Sequence, residues 1–256
     1  MRLFLFFLLG AFFLLALFLI NPKNPNSTQT NPSPETSQLK TLENNWQTPI
    51  LMYHYIRDYQ NLDDKIGVNL SVSPANLEKQ LQELQKENYQ TINFIALKNP
   101  ESLPAKPIIL TFDDGYRDAY ATAFPLLKKY GFKATFYVVS GFVGRNDYLT
   151  KEEILKMAGA GMNIGSHTIS HPDLTKLTPE KARKEILESK ARTKEWGIEA
   201  LDFAYPAGKY NEEVTKMVKE AGYQSAVTTQ PGTAKDTNDF FQLPRVRMEN
   251  ETNLKL

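Results

Sequence analysis

From Pro49 onward, short apolar runs alternate with capped amphipathic segments, and this alternation leaves few folds open. Strand-like runs stand at 50–56, 91–95, 108–112, 133–139, 163–166, 202–205, 225–228 and 243–247. Between them lie helical stretches with recognisable ends. Ser73-Pro74 supplies an N-cap and a first-turn proline ahead of the stripe Leu77, Leu81 and Leu84. A helix over 118–130 stops at Gly131, and Thr178-Pro179-Glu180 opens a long one that ends near Gly197. Residues 151–159 and 211–221 are helical as well. Repeated βα units imply a parallel sheet, and this many imply closure into a barrel. In such folds chemistry gathers where the strands end, so the residues just past each apolar run are the first candidates.

The run that ends in chemistry most plainly is Pro107-Ile108-Ile109-Leu110, which leads into Thr111-Phe112-Asp113-Asp114-Gly115-Tyr116. Asp-Gly alone suits a turn. Two adjacent acids at the end of an apolar strand do more, because neighbouring side chains point in different directions. One can hold a metal while the other faces substrate. His167-Thr168-Ile169-Ser170-His171 offers two of the chain's three histidines four residues apart, a spacing that lets both reach one ion. One carboxylate and two imidazoles leave coordination positions open. Such a set also suits Fe(II) in an oxygenase, but a second acid beside the ligand suits hydrolysis better.

Three further stretches are weaker signals. His54 ends the first strand-like run, so in a closed parallel barrel it shares a face with the other strand ends. Phe203-Ala204-Tyr205-Pro206-Ala207-Gly208 ends a strand in a turn able to present a backbone N–H to an oxyanion. Leu243-Pro244-Arg245 puts an arginine at a strand position, where a buried charge needs a carboxylate, and Asp113 is the candidate partner.

Ahead of this domain, residues 3–20 carry no charged or polar side chain, and Arg2 precedes them. At 1.5 Å rise, that length spans about 27 Å, enough to cross a bilayer core. No small-x-small cleavage site follows, so residues 1–20 read as an uncleaved signal anchor with the domain outside the cytoplasmic membrane; cleavage would make the protein secreted. Residues 21–48, rich in Asn, Pro, Ser and Thr, read as a linker, and 49–256 as the catalytic domain. Thirty basic residues against twenty-nine acidic give a net charge of +1, so nothing points to nucleic acid. With no cysteine, disulfides, thiolate-bound zinc and a cysteine nucleophile are excluded. The expected assembly is a monomer.

Together these residues resemble the polysaccharide deacetylase family, carbohydrate esterase family four. Thr111-Phe112-Asp113-Asp114-Gly115-Tyr116 looks like its first motif and His167-x-x-x-His171 its second. Leu51-Met52-Tyr53-His54-Tyr55 and Leu243-Pro244-Arg245 look more like the branch acting on poly-N-acetylglucosamine. The resemblance implies an α/β fold, a distorted (β/α) barrel, and hydrolytic removal of acetyl groups from a polysaccharide. It implies Asp114, His167 and His171 as ligands of a divalent metal, with Zn²⁺ expected and Co²⁺ or Ni²⁺ as alternatives. It implies Asp113 as general base, the Ala207 N–H as oxyanion donor and His54 as the acid, in imidazolium form. The family's third motif usually reads Arg-Pro-Pro-Tyr-Gly; here Ala204-Tyr205-Pro206-Ala207-Gly208 stands there, so the tethering arginine is missing and Arg245 is the expected replacement. The usual Leu-x-His is absent too. Peptidoglycan or an O-acetylated, xylan-type polymer is the rival substrate. A membrane-tethered carbohydrate-binding protein without catalysis is the rival of another class.

Overall fold

The computed structural model describes residues 46–252 and Leu254. The expected anchor at 1–20, and residues 21–45 of the expected linker, lie outside the described residues. The chain opens with β1 (Gln47–Thr48), β2 (Ile50–Tyr53), β3 (Tyr55–Ile56), α1 (Lys65–Leu70), β4 (Ser71–Val72) and α2 (Pro74–Lys86). Next come β5 (Gln90–Thr91), β6 (Pro107–Phe112), α3 (Phe124–Tyr130), β7 (Thr135–Val138), α4 (Lys151–Gly159) and β8 (Asn163–Ser166). The last part holds α5 (Pro179–Glu195), β9 (Asp202–Ala204), α6 (Glu212–Glu220), β10 (Ser225–Pro231), β11 (Ala234–Lys235) and β12 (Leu243–Arg247).

Seven strands close a barrel in the order β2, β12, β10, β9, β8, β7, β6 and back to β2, with every pairing parallel. The barrel is distorted. β8 and β9 meet through one residue pair, Ser166 with Phe203, and the register of β10 on β12 slips between Val227 and Pro231.

Strand parity decides what fills the barrel and what faces the helices. Ile50, Ile109, Tyr137, Ala204, Val227 and Leu243 form the inner cluster, with Phe94 and Leu97 packed against it. Their strand neighbours Leu51, Leu110, Phe112, Phe136 and Val138 pack outward onto Leu77 and Leu81 of α2, Leu127 of α3 and Ile154 of α4. Phe203 and Ala226 pack outward onto Ile186 of α5 and Val218 of α6. Burying such a side chain fully contributes about 1.5–3 kcal/mol, so burial on both faces of the strands, more than helix propensity, holds the barrel together.

The helix ends follow the sequence chemistry. Ser73 Oγ accepts from the Asn76 N–H, Asn211 Oδ1 from Val214, and Thr150 with Glu153 completes a capping box on α4. Gly131 closes α3 at φ 76°.

Four boundaries depart from expectation. The domain begins before Pro49: β1 pairs with β11, Thr48 is fully buried, and Trp46 packs edge-on against Phe240. The first strand breaks at His54, after which β3 leaves the barrel to pair with β4. The strand expected over 91–95 ends at Thr91, and Phe94–Lys98 forms a 3-10 turn that sends Phe94 and Leu97 into the core. The helix expected over 118–130 starts as a π-helical turn, Ala119–Ala123. Pro125 has no N–H for the α-helical bond back to Ala121, and the turn before it widens.

Gly165 of β8 faces inward beside Tyr137: a Cβ there would lie 2.5 Å from the Tyr137 ring and 2.9 Å from the Asp202 carbonyl oxygen. Gly165→Ala therefore overpacks the barrel and is expected to cost about 1–3 kcal/mol, read as a lower urea midpoint at unchanged m-value. An unchanged midpoint would mean the strands part freely at this seam.

Candidate active site

Along β6, residues 109, 111 and 113 share one face, so Asp113 continues the inward series just past the strand end and is 2% exposed. On β12, Leu243 faces inward and Arg245, two residues on, does the same at 1% exposure. The two side chains meet inside the barrel mouth. Arg245 Nη1 donates to Asp113 Oδ1 at 2.8 Å and Nη2 to Oδ2 at 2.7 Å. Nη1 also donates to Thr111 Oγ1 at 3.1 Å, and Nε to the Thr228 carbonyl at 2.8 Å. Burial alone would push the Asp113 carboxyl up; the Arg245 charge and paired hydrogen bonds outweigh it and hold the group well below the usual carboxylate range.

Asp114 is turned another way. Its backbone is left-handed, φ 71°, as is Gly115 at φ 75°, and the turn separates the two adjacent carboxylates. Asp114 Oδ1 lies 3.4 Å from His167 Nε2 and 3.4 Å from His171 Nε2. One ligand atom from each of the three lies within 4.8 Å of the others. His167 Nδ1 donates to the Ala204 carbonyl at 2.7 Å, which fixes the tautomer and leaves Nε2 bare. Two neutral-capable imidazole nitrogens and a carboxylate oxygen converging on one point are a donor set that fits a divalent ion such as Zn²⁺. Burial lowers both histidines. The hydrogen bond and charge of Asp114 then raise His167 above its ordinary value, while His167 helps keep His171 below its own.

His54 completes the group from the break between β2 and β3, with Nε2 3.8 Å from Asp113 Oδ2. Burial lowers its pKa more than Asp113 and Asp114 raise it. Ala207 stands in the turn after β9, exposed, at φ 49° and ψ 21°. Among the described residues its N–H donates to no backbone carbonyl. The same strand end supplies the Ala204 carbonyl that orients His167, so the turn and that histidine are tied to one strand.

All seven residues singled out from sequence thus stand at the barrel mouth or on the strand ends that form it. Sequence reasoning missed Thr111 and the Ala204 carbonyl as orienting partners. It also missed backbone strain: of six non-glycine residues at positive φ among the described residues, four are Asp114, Thr168, His171 and Ala207.

The polysaccharide deacetylase profile matches residues 101–226. The Bacillus subtilis protein YxkH, named as a polysaccharide deacetylase, is 35% identical over 239 residues, covering 88% of this chain and 83% of its own length. The chain belongs to the polysaccharide deacetylase family. Members of this group, carbohydrate esterase family four, act on the amide bonds of acetylated sugars and are metal-dependent. The solved structure of the Streptococcus pyogenes deacetylase PplD with acetate superposes at TM-score 0.76 and 33% identity, covering 81% of this chain and 94% of that one. The poly-β-1,6-N-acetyl-D-glucosamine N-deacetylase of Staphylococcus epidermidis is 27% identical over 227 residues, 78% of each chain. In this deacetylase, His54 and Arg245 both lie outside the stretch that the family profile matches.

Replacing Arg245 with Met leaves the Asp113 carboxylate buried without its cation, at an expected cost of about 3–5 kcal/mol near neutral pH. The wild-type contribution is present above the unfolded carboxylate value of about 3.9 and is lost only as pH falls through the depressed folded value. Without Arg245, burial raises the carboxyl instead, so the variant's deficit should be largest near neutral pH and shrink as pH falls and Asp113 takes up a proton. Urea unfolding of both proteins from neutral to acid pH checks this; a stability gap that does not narrow on acidification would mean the loss comes from something other than the stranded charge.

Proposed function

We propose that this chain is a Zn²⁺-dependent N-deacetylase of poly-N-acetylglucosamine, releasing acetate and leaving a free amine on the polymer. One observation carries the reading: a two-histidine, one-aspartate donor triangle sits beside a carboxylate pinned by a buried arginine, with His54 within 4 Å of that carboxylate. The polymer assignment rests on Leu51-Met52-Tyr53-His54-Tyr55 and Leu243-Pro244-Arg245, and on the similarity to a protein named as a poly-β-1,6-N-acetyl-D-glucosamine N-deacetylase.

Asp114, His167 and His171 would hold the ion, which supplies Lewis acidity to a water and to the acetyl carbonyl. Asp113 accepts the proton of the attacking water. Both its oxygens are bonded to Arg245, but each carboxylate oxygen has a second lone pair, and Oδ2 is the one that faces His54. As imidazolium, His54 gives a proton to the departing nitrogen and is recharged by the one Asp113 took from water, across 3.8 Å. The Ala207 N–H supports the oxyanion. Arg245 keeps Asp113 ionised and fixed throughout. The proton count closes: one leaves water, one reaches the amine, and Asp113 and His54 return to their starting forms.

We further propose that residues 1–20 tether this monomeric domain to the outer side of the cytoplasmic membrane, a reading supported by the uninterrupted apolar run from Leu3 to Ile20.

Acetate and free amine should appear together when the metal-loaded protein meets β-1,6-linked N-acetylglucosamine oligomers, and chelation should stop both. Asp113→Asn and His54→Ala should each lower kcat by about 10²–10⁴-fold with the bound metal retained. A metal-loaded Asp113→Asn enzyme at wild-type rate would sink the base assignment. Acetate without amine would point to an O-acetyl ester, and turnover of peptidoglycan fragments alone would move the polymer assignment.

A further inference from the structure

The loop that carries His171 is strained and is held from both sides. Thr168 stands at φ 70° and His171 at φ 58°, two non-glycine residues in the left-handed region within four positions. On one side the segment after β7 holds the loop: the Ser140 N–H donates to the Thr168 carbonyl at 3.0 Å and the Gly141 N–H to the Ile169 carbonyl at 2.9 Å. A Cβ on Gly141 would collide with that same Ile169 oxygen, so the approach is as close as the backbone allows. On the other side stands a single side chain from α5. Glu185 Oε2 accepts from the Ile169 N–H at 2.8 Å and the Ser170 N–H at 3.0 Å, and Oε1 accepts from Ser170 Oγ at 2.7 Å.

Successive backbone N–H groups after a left-handed residue form a concavity suited to an anion, and here the protein fills it with its own carboxylate. Bonds from N–H groups to an ionised acceptor are roughly twice as strong as neutral ones, and strained backbone persists only where its surroundings over-determine it. We infer that Glu185 is a positioning residue for the metal site, clamping the 168–171 loop so that His171 Nε2 converges with His167 and Asp114. Glu185 touches none of the three donors. It acts through the main chain of Ile169 and Ser170, while Thr168 Oγ1 completes the turn by accepting from the His171 N–H at 2.9 Å. The proposal rests on the metal-centre reading given above, because it assigns Glu185 to that centre's geometry.

The test is metal affinity of the detergent-solubilised full-length protein, stripped by chelation and titrated with Zn²⁺ against a chromophoric chelator. The Co²⁺ electronic spectrum is the second readout. Glu185→Ala should weaken Zn²⁺ binding about ten- to a hundredfold and alter the Co²⁺ spectrum. Glu185→Gln, whose amide oxygen still accepts from both N–H groups, should recover most of that affinity. Glu188→Ala, which removes an exposed carboxylate from the same helix, should change neither. Wild-type affinity and spectrum in Glu185→Ala overturn the proposal. So does equal loss in the Ala and Gln variants matched by an equal fall in the metal-free protein's Tm, which is the signature of a fold contact alone. Separately, Zn²⁺ binding that survives His171→Ala would overturn the metal-centre assignment itself, whatever Glu185 does.

Discussion

A bidentate ion pair buried inside the barrel mouth, Arg245 with Asp113, is the constraint around which the rest is arranged. An arginine 1% exposed is costly to bury unless its donors are met. Here Thr111, Asp113 and the Thr228 carbonyl meet four of its N–H directions, and in doing so they bind β6, β10 and β12 together from within. The pair is therefore structural and chemical at once. It keeps a buried carboxylate ionised at neutral pH, and it fixes the direction from which that carboxylate faces His54 and substrate.

Much of this was legible in the sequence because strand parity is unforgiving. Once 107–112 reads as a strand buried on both faces, Asp113 must continue the inward series and Asp114 cannot follow it. The same parity turns Arg245 inward from β12, although Pro244, Val246 and Arg247 are only half-buried and blur the pattern. The break at His54 was not legible: Ile50 to Ile56 is uniformly apolar apart from the histidine, and only the pairing of β3 with β4 shows where the strand leaves the barrel. The π-helical turn at Ala119–Ala123 escaped for a similar reason, since Pro125 in a first turn reads equally well as a helix start. The role of Glu185 lay beyond any local pattern. It is one of several charged residues on a strongly charged helix, and its partners are main-chain groups with no signature in sequence.

Strain is gathered where the chemistry is. Asp114, Thr168, His171 and Ala207 each adopt a backbone conformation that costs of order 1–3 kcal/mol for a non-glycine residue. Each is held by neighbours that are themselves rigid: Asp114 at the end of a strand paired with β2 and β7, the histidine loop by α5 and the segment after β7, Ala207 by the proline before it. A site on strand ends can carry such strain because the barrel beneath it does not yield.

The first and last barrel strands are hydrogen-bonded neighbours: Leu51 and Met52 of β2 lie opposite Val246 and Arg247 of β12. His54 and Arg245 therefore come together only at the barrel's closing seam. In chain order both carboxylates, His167 and His171 all come well before Arg245. Until the last barrel strand inserts, Asp113 lacks the cation that pairs with it. The barrel mouth thus takes its shape only once the first and last barrel strands have met.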